Sequence, residues 1–234
     1  VTLVQAGEVK PVTRIDAPES VLFVGNSFTF YNNAIYTHLR KLLVAEDASN
    51  RQRIFLKSMT ISGAMLADHA GGLEQLLASR NWDVVILQGQ SREAIDKEMA
   101  AGFESTARTY SKAIRARGAE PVLFMTWAYA GQPEMTAQLA TGFEYLGRKL
   151  DVMVIPVGLA FGRAIETING VVLHDPDTKH PSLEGTYLAA AVFYASLYGK
   201  SPVPLAYNAG LDEATALQLR QAAWQTVSEY YSVE

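Results

Sequence analysis

The side chains in this chain best suited to chemistry are a serine, a histidine and an aspartate that lie far apart in the sequence. Ser27 follows the apolar run 21–24, which is typical of a buried strand, and a hydroxyl just past such a strand suits a nucleophile. His180 could take the serine proton, because the ordinary pKa of an imidazole lies near neutrality. Asp177, three residues earlier, could bind the other ring nitrogen. Together the three predict nucleophilic catalysis.

Ser27 also has a simpler interpretation. Serine and asparagine are ordinary helix caps and turn formers, so Ser27 could merely cap a helix that begins near Tyr31. The motif by itself leaves both interpretations open.

Two further positions could stabilise negative charge on a reacting oxygen. Gly63 could offer its backbone N–H at close approach because it has no side chain, and the amide of Gln90 could donate two hydrogen bonds. With the N–H of Ser27 they would form an oxyanion hole. Taken singly, the glycine could simply form a tight turn and the glutamine could be a solvated loop residue.

The segment around His180 allows a metal site as an alternative. His174, Asp175, Asp177 and His180 fall within seven residues, and two histidines with a carboxylate can bind a metal ion. Against this, the histidines lie six apart on a proline-containing loop and no HExxH helix occurs. We therefore predict no metal. The remaining histidines, His38 and His69, fall within predicted helices, where a structural role is expected.

The elements that must position these residues alternate between strand and helix. We predict strands at 21–24, 54–60, 83–87, 121–126 and 152–156. We predict helices at 34–45, 66–79 and 93–117, a helix bearing the apolar stripe Leu139, Phe143, Leu146 and Leu150, and two or three more, one of them through 187–197. Such alternation predicts an α/β fold, a three-layer α/β/α sandwich with a flavodoxin-like, five-stranded parallel sheet.

Composition narrows the possible partners to small molecules. The net charge of -4 gives no basic field for nucleic acid, and no stretch of eighteen apolar residues could span a bilayer. The absence of cysteine excludes disulfides, thiolate metal sites and a cysteine nucleophile. No dinucleotide fingerprint occurs, and we expect no cofactor.

The organisation along the chain predicts one domain. Residues 1–19 are polar and punctuated by proline, which indicates a lead-in segment, and residues 20–234 form the single predicted catalytic domain. The chain begins at Val1 without an initiating methionine, from which we expect that a leader or tag has been removed. We therefore expect a periplasmic or secreted location, with a cytoplasmic one as the alternative.

Four blocks of sequence occur in the order that a known superfamily shows. Gly25-Asn26-Ser27-Phe28-Thr29, Gly63, Gln88-Gly89-Gln90 and Asp177-Thr178-Lys179-His180 resemble the SGNH (GDSL-like) hydrolases. The resemblance implies a serine esterase or acyl-transfer activity, with Ser27 as nucleophile, His180 as base, Asp177 as its partner and Gly63 as an oxyanion donor. The chain departs from the pattern at Asn26, where aspartate is common, and at Gln90, where asparagine is usual.

The same region leads to a hypothesis about substrate. Aromatic residues follow the first and fourth strands, and we expect Asn26, Phe28 and Trp127 to contact substrate, the aromatic rings by stacking on sugars. The absence of a long apolar lid favours a short acyl ester, for example an acetylated carbohydrate, over a lipid. The alternatives are a sugar O-acyltransferase and a non-catalytic carbohydrate-binding module with a decayed site.

Overall fold

The computed structural model of the chain describes residues 16–231. Most of the predicted lead-in, residues 1–15, lies outside the described residues. Its last residues are fixed to the domain, because the N–H groups of Glu19 and Ser20 both donate to the Asp83 carboxylate at 2.8 Å. The Tyr198 hydroxyl also donates to the Pro18 carbonyl at 2.9 Å.

Strands and helices alternate through the described residues. The strands are β1 (Ser20–Gly25), β2 (Phe55–Thr60), β3 (Val84–Leu87), β4 (Glu120–Phe124) and β5 (Met153–Ile155). The helices are α1 (Ser27–Phe30), α2 (Ile35–Glu46), α3 (Asn50–Arg53), α4 (Ala70–Ser79), α5 (Ala100–Arg115), α6 (Glu134–Leu150), α7 (Val157–Thr167), α8 (Leu183–Tyr198) and α9 (Glu213–Tyr231), with a 3₁₀ turn at Leu66–His69 before α4.

The five described strands form one parallel sheet in the order β2-β1-β3-β4-β5. Helices cover both faces, so the predicted three-layer, flavodoxin-like α/β/α fold is confirmed. β2 lies on one side of β1, whereas β3, β4 and β5 follow on its other side, so the switch point of the strand order lies between β1 and β3. Ligands of such sheets bind outside the carboxyl ends of the strands at this switch point.

Alternate strand residues supply the two halves of the core. One face packs against α2, α7, α8 and α9 through Val21, Phe23, Val84, Ile86, Val122, Phe124, Met153 and Ile155. The other packs against the 3₁₀ turn, α4, α5 and α6 through Leu22, Val24, Val85, Leu87, Leu123 and Val154. Helix α8 is buried around nearly its whole circumference, because α2, α7 and α9 all pack on it. No helix in the described part of the chain is long and apolar enough to cross a membrane.

One predicted helix is shorter than expected. The apolar pattern predicted a helix over 93–117, but residues 92–99 form turns and α5 begins only at Ala100. The Glu93 carboxylate is buried and accepts the N–H of Gln90, while the Asp96 carboxylate accepts the N–H of Glu98. These side-chain bonds to the backbone compete with helix formation in this segment.

Candidate active site

The candidate residues gather at the carboxyl edge of the sheet. Ser27 lies two residues after β1, Gly63 follows β2, and Gln90 follows β3. Since β1 and β3 are neighbours, Ser27 and Gln90 flank the switch point of the strand order. The topology alone thus brings three distant parts of the sequence to one edge of the sheet.

Ser27 is the first residue of the short helix α1 and not its cap. The cap is Asn26, whose side-chain oxygen accepts the N–H of Phe28 at 3.1 Å. The alternative that Ser27 caps a helix beginning near Tyr31 is therefore wrong, and the longer helix α2 begins at Ile35. This arrangement leaves the Ser27 hydroxyl available for another partner.

That partner is His180, which lies 153 residues further along the chain. Its Nε2 is 2.8 Å from the Ser27 hydroxyl oxygen, and its Nδ1 hydrogen-bonds to the Asp177 carboxylate. The other oxygen of Asp177 accepts the N–H groups of Lys179 and His180, each at 2.9 Å. The structure therefore brings together the serine, histidine and aspartate that the sequence singled out, and their catalytic roles stay a prediction.

The Asp177 carboxyl is held in its ionised form. Partial desolvation raises its pKa, but the hydrogen bonds from the His180 ring and from the N–H groups of Lys179 and His180 outweigh this and lower the pKa to about 2. A carboxylate that stays charged can keep the imidazole in one orientation and tautomer throughout the neutral range.

Aromatic rings fix the plane of the His180 ring. Tyr31 stacks on it with centroids 4.1 Å apart and planes within 8°, and Phe28 meets it edge-on at 5.7 Å. Both residues belong to the segment that carries Ser27, so this segment presents the hydroxyl and also packs against the base.

Two buried amide side chains, Asn26 and Gln88, support the nucleophile turn. The Gln88 side-chain oxygen accepts the Asn26 N–H at 2.8 Å, and its NH₂ group donates to the Asn26 side-chain oxygen at 2.9 Å. The Asn26 NH₂ group donates to the carbonyls of Ala64 at 3.1 Å and Gly89 at 3.4 Å. Asn26 thus connects the turns that carry Ser27, Gly63 and Gln90.

Glycine at position 25 is required by this close packing. A Cβ at Gly25 would lie 2.4 Å from the Gln88 side-chain oxygen and 2.7 Å from the Thr29 hydroxyl, and these two atoms are themselves hydrogen-bonded at 2.9 Å. Any side chain here would separate the strand end from the amide that supports the turn.

The predicted oxyanion donors Gly63 and Gln90 lie on turns at this edge of the sheet. Gly63 has a φ of +69°, a conformation that favours glycine, and it is exposed. The Gln90 side-chain oxygen accepts the N–H of Arg92 at 2.9 Å, which leaves its NH₂ group to donate elsewhere. The structure places both residues beside the serine turn, and their roles in charge stabilisation stay predictions.

Comparison with known proteins identifies the fold. No protein-family model and no curated protein match the chain. Among solved structures, a DUF4886 family protein from Bacteroides uniformis superimposes with a TM-score of 0.71 and 20% identity over 92% of this chain and 95% of that one. A candidate SGNH hydrolase from Slackia heliotrinireducens has a TM-score of 0.62 and 25% identity over 76% of this chain and 97% of that one. The chain has the SGNH hydrolase fold.

A third neighbour with this fold is Axe2, an acetylxylan esterase from Geobacillus stearothermophilus, represented by a catalytic mutant. It superimposes with a TM-score of 0.63 at 16% identity, over 79% of this chain and 96% of that one. The resemblance to the SGNH hydrolase superfamily that the ordered sequence blocks indicated is confirmed by the neighbour from Slackia heliotrinireducens. That neighbour's description as an SGNH hydrolase supports a hydrolase.

The structure buries the side chains of Asn26, Phe28 and Trp127, which argues against the expected contacts of these side chains with substrate. Trp127 is fully buried in a stack between Phe28 and Phe161, with ring centroids 4.4 Å apart on each side. Its indole N–H donates to the Lys179 carbonyl at 3.0 Å. These rings support the His180 loop from inside, and they cannot stack on a sugar.

Sequence reasoning missed Glu93, which the SGNH fold buries beside the crevice. One of its carboxylate oxygens accepts the N–H of Gln90 at 2.7 Å and that of Leu66 at 3.1 Å. Burial raises the pKa of Glu93, and the two N–H donors partly offset this effect. Glu93 thus ties the Gln90 turn to the segment after Gly63. Its helical sequence context gave no signal of this position, whereas Gln88 could have been found from its place directly after β3.

The other three histidines have structural partners. His38 contacts the Tyr207 hydroxyl and the Asn32 carbonyl, both at 2.7 Å. His69 contacts the Gly25 carbonyl at 2.8 Å and His174 contacts the Ala128 carbonyl at 2.9 Å. Within residues 16–231, no three histidine, aspartate or glutamate side chains cluster as metal ligands.

Burial of His38 predicts a pH-dependent stability. Burial lowers the pKa of His38, so the folded protein binds a proton at this ring less readily than the unfolded chain, which binds one as the pH falls through about 6.5. The unfolded state then holds more protons, and stability falls as the pH falls. We expect the thermal midpoint to fall between about pH 7 and pH 5, and to fall less in a His38→Gln variant. An equal pH dependence in both proteins would contradict this assignment.

Proposed function

We propose that the chain is a serine esterase that hydrolyses short acyl esters through an acyl-enzyme. The observation that supports this most directly is the hydrogen bond of 2.8 Å between the Ser27 hydroxyl and His180 Nε2, with Asp177 on the opposite ring nitrogen. An imidazole in this position can remove the hydroxyl proton as the oxygen attacks a carbonyl carbon.

The reaction has two halves. In the first, the Ser27 oxygen bonds to the acyl carbon while His180 takes the hydroxyl proton. His180 then gives this proton to the departing alcohol. In the second, His180 activates a water molecule that attacks the acyl-enzyme, and the proton returns to Ser27 as the acid leaves. Ping-pong kinetics are the expected consequence.

Charge on the carbonyl oxygen needs donors in both halves. The first N–H groups of a helix lack intrahelical acceptors, and in α1 the N–H of Phe28 already donates to the Asn26 side-chain oxygen. We assign the N–H of Ser27, the N–H of Gly63 and the NH₂ group of Gln90 to the developing oxyanion. Converging donors of this kind are among the largest contributions to acyl-transfer catalysis.

The substrate in this proposal is a short acyl ester, for example an acetyl group on a carbohydrate. The fold neighbour Axe2 is an acetylxylan esterase. Since Phe28 and Trp127 are buried, contact with the substrate falls to exposed side chains on the same turns, namely Phe30 on α1 and Ile61 and Met65 on either side of Gly63. These exposed apolar side chains can contact the acyl group.

A fluorophosphonate probe tests the proposal. The wild-type protein should gain one covalent adduct on Ser27, located by peptide mass spectrometry, and should release p-nitrophenol from p-nitrophenyl acetate faster than from the octanoate. A non-catalytic carbohydrate-binding module would show neither adduct nor turnover. A sugar O-acyltransferase would form the adduct but would release product quickly only when a sugar acceptor is added.

The assignment of Gln90 as an oxyanion donor makes a separate prediction. Replacing Gln90 with alanine removes the NH₂ donor, and loss of one such donor costs about 10²- to 10³-fold in kcat. We expect a fall of that size with little change in KM, measured on p-nitrophenyl acetate. Gln218→Ala, at an exposed position of α9, is the matched control and should retain wild-type kcat. Equal rates in the two variants would remove Gln90 from the oxyanion hole.

A further inference from the structure

The segment between α1 and α2 has an unusual backbone. Asn32, Asn33 and Ala34 have φ values of +48°, +68° and +67°, three successive residues with side chains in the left-handed region. Such conformations are unfavourable for residues that carry a Cβ, and they persist where surrounding contacts enforce them. This segment directly follows Tyr31, whose ring stacks on His180.

The contacts that hold the segment run to the loop of the histidine. The Asn32 NH₂ group donates to the Pro181 carbonyl at 2.7 Å and to the Thr186 hydroxyl at 3.2 Å. Pro181 is the residue after His180, and Thr186 lies in the first turn of α8. The Asn32 carbonyl is bonded to His38 Nε2 at 2.7 Å, so α2 holds Asn32 from the other side.

We propose that Asn32 is a positioning residue that sets the distance between His180 and Ser27. This inference rests on the proposed function. Two bonds, from the Trp127 indole to the Lys179 carbonyl and from the Ala130 N–H to the Thr178 carbonyl, fix the His180 loop to the segment after β4. The Asn32 amide fixes it to the segment that carries Ser27. Without that amide the loop keeps its bonds to the β4 side, while the ring contacts of Tyr31 and Phe28 with His180 lack a hydrogen bond to fix their distance, so the histidine can move away from the serine.

The strained backbone offers matched variants. Asn32→Gly accepts the left-handed conformation and removes the amide, whereas Asn33→Gly relieves similar strain and leaves the Asn32 amide in place. Asn32→Asp keeps the size of the side chain and replaces its donors with acceptors. Any effect shared by the two glycine variants reports on strain, and an effect of the Asn32 variants alone reports on the amide.

Kinetics on p-nitrophenyl acetate should separate the variants. We expect Asn32→Gly and Asn32→Asp to lower kcat by about 10- to 100-fold with KM within about twofold, since small misplacements of a catalytic group have effects of this size. Asn33→Gly should keep wild-type kcat. In a His180→Ala background Asn32→Gly should cause no further loss, because it acts through the histidine. Equal losses in both backgrounds, or wild-type kcat in Asn32→Gly, would overturn the proposal.

An NMR measurement makes the result independent of catalysis. The ring resonances of His180 should shift or broaden in Asn32→Gly and stay unchanged in Asn33→Gly, with thermal midpoints checked for each variant. If the wild type neither hydrolyses esters nor reacts with the fluorophosphonate, the proposed function fails while the NMR comparison still decides the role of Asn32. Unchanged His180 resonances in both Asn32 variants, or failure of both to fold, would make Asn32 an ordinary structural residue.

Discussion

Replacing Ser27 with alanine is expected to lower kcat by about 10⁴- to 10⁶-fold, because the variant loses the oxygen that attacks the carbonyl. His180→Ala should cause a comparable loss, since without the imidazole the hydroxyl 2.8 Å away has no base. The two residues act as a unit, so the double variant should be little worse than either single one.

Initial rates on p-nitrophenyl acetate, corrected for spontaneous hydrolysis, measure these losses. The matched control is Ser105→Ala, which removes a hydroxyl from an exposed position of α5 and should keep full activity. Circular dichroism and thermal midpoints establish that each variant is folded. Activity within about tenfold of wild type in either site variant would exclude the assigned role.

Among the variants proposed for this protein, Asn26→Asp is expected to lose the most stability, although aspartate is common at this position in the superfamily. The Asn26 NH₂ group donates to the buried carbonyls of Ala64 and Gly89. A carboxylate cannot donate, so it would face two carbonyl oxygens in a buried site. We expect the free energy of unfolding to fall by about 3–5 kcal/mol.

The pH dependence of this variant gives a sharper test. Burial beside carbonyl oxygens should raise the folded-state pKa of the introduced carboxyl above its unfolded value of about 3.9. Such a group destabilises increasingly as the pH rises above the unfolded value, so acidification should restore part of the loss. Denaturant unfolding of the variant and the wild type at about pH 7 and pH 4.5 measures the difference in their free energies of unfolding. A difference from wild type that stays constant between these pH values would show that the carbonyl contacts are unimportant.

Local sequence signals predicted the parts of this fold that depend on neighbouring residues. The run 21–24 identified β1 because a buried parallel strand is continuously apolar, and the order of strands and helices was sufficient to predict the layered architecture. His180 and Asp177 were identifiable together because they lie on one short turn.

Tertiary contacts decided what the sequence could not show. Whether Phe28 and Trp127 face substrate or core depends on Phe161, which lies on a helix much later in the chain. The predicted start of the helix over 93–117 was wrong because the buried Glu93 bonds to the N–H of Gln90 in its own turn and to that of Leu66 in a distant segment. Asn26 was interpreted as a substrate contact because its carbonyl partners, Ala64 and Gly89, lie 38 and 63 residues away.

Helix α8 is surrounded by protein on nearly all sides, and Ser182, two residues after His180, caps its first turn through the Gly185 N–H. His180 is therefore attached to one of the most deeply buried helices of the molecule. Local unfolding at the surface would leave this helix in place, so heat inactivation should coincide with cooperative unfolding of the whole domain.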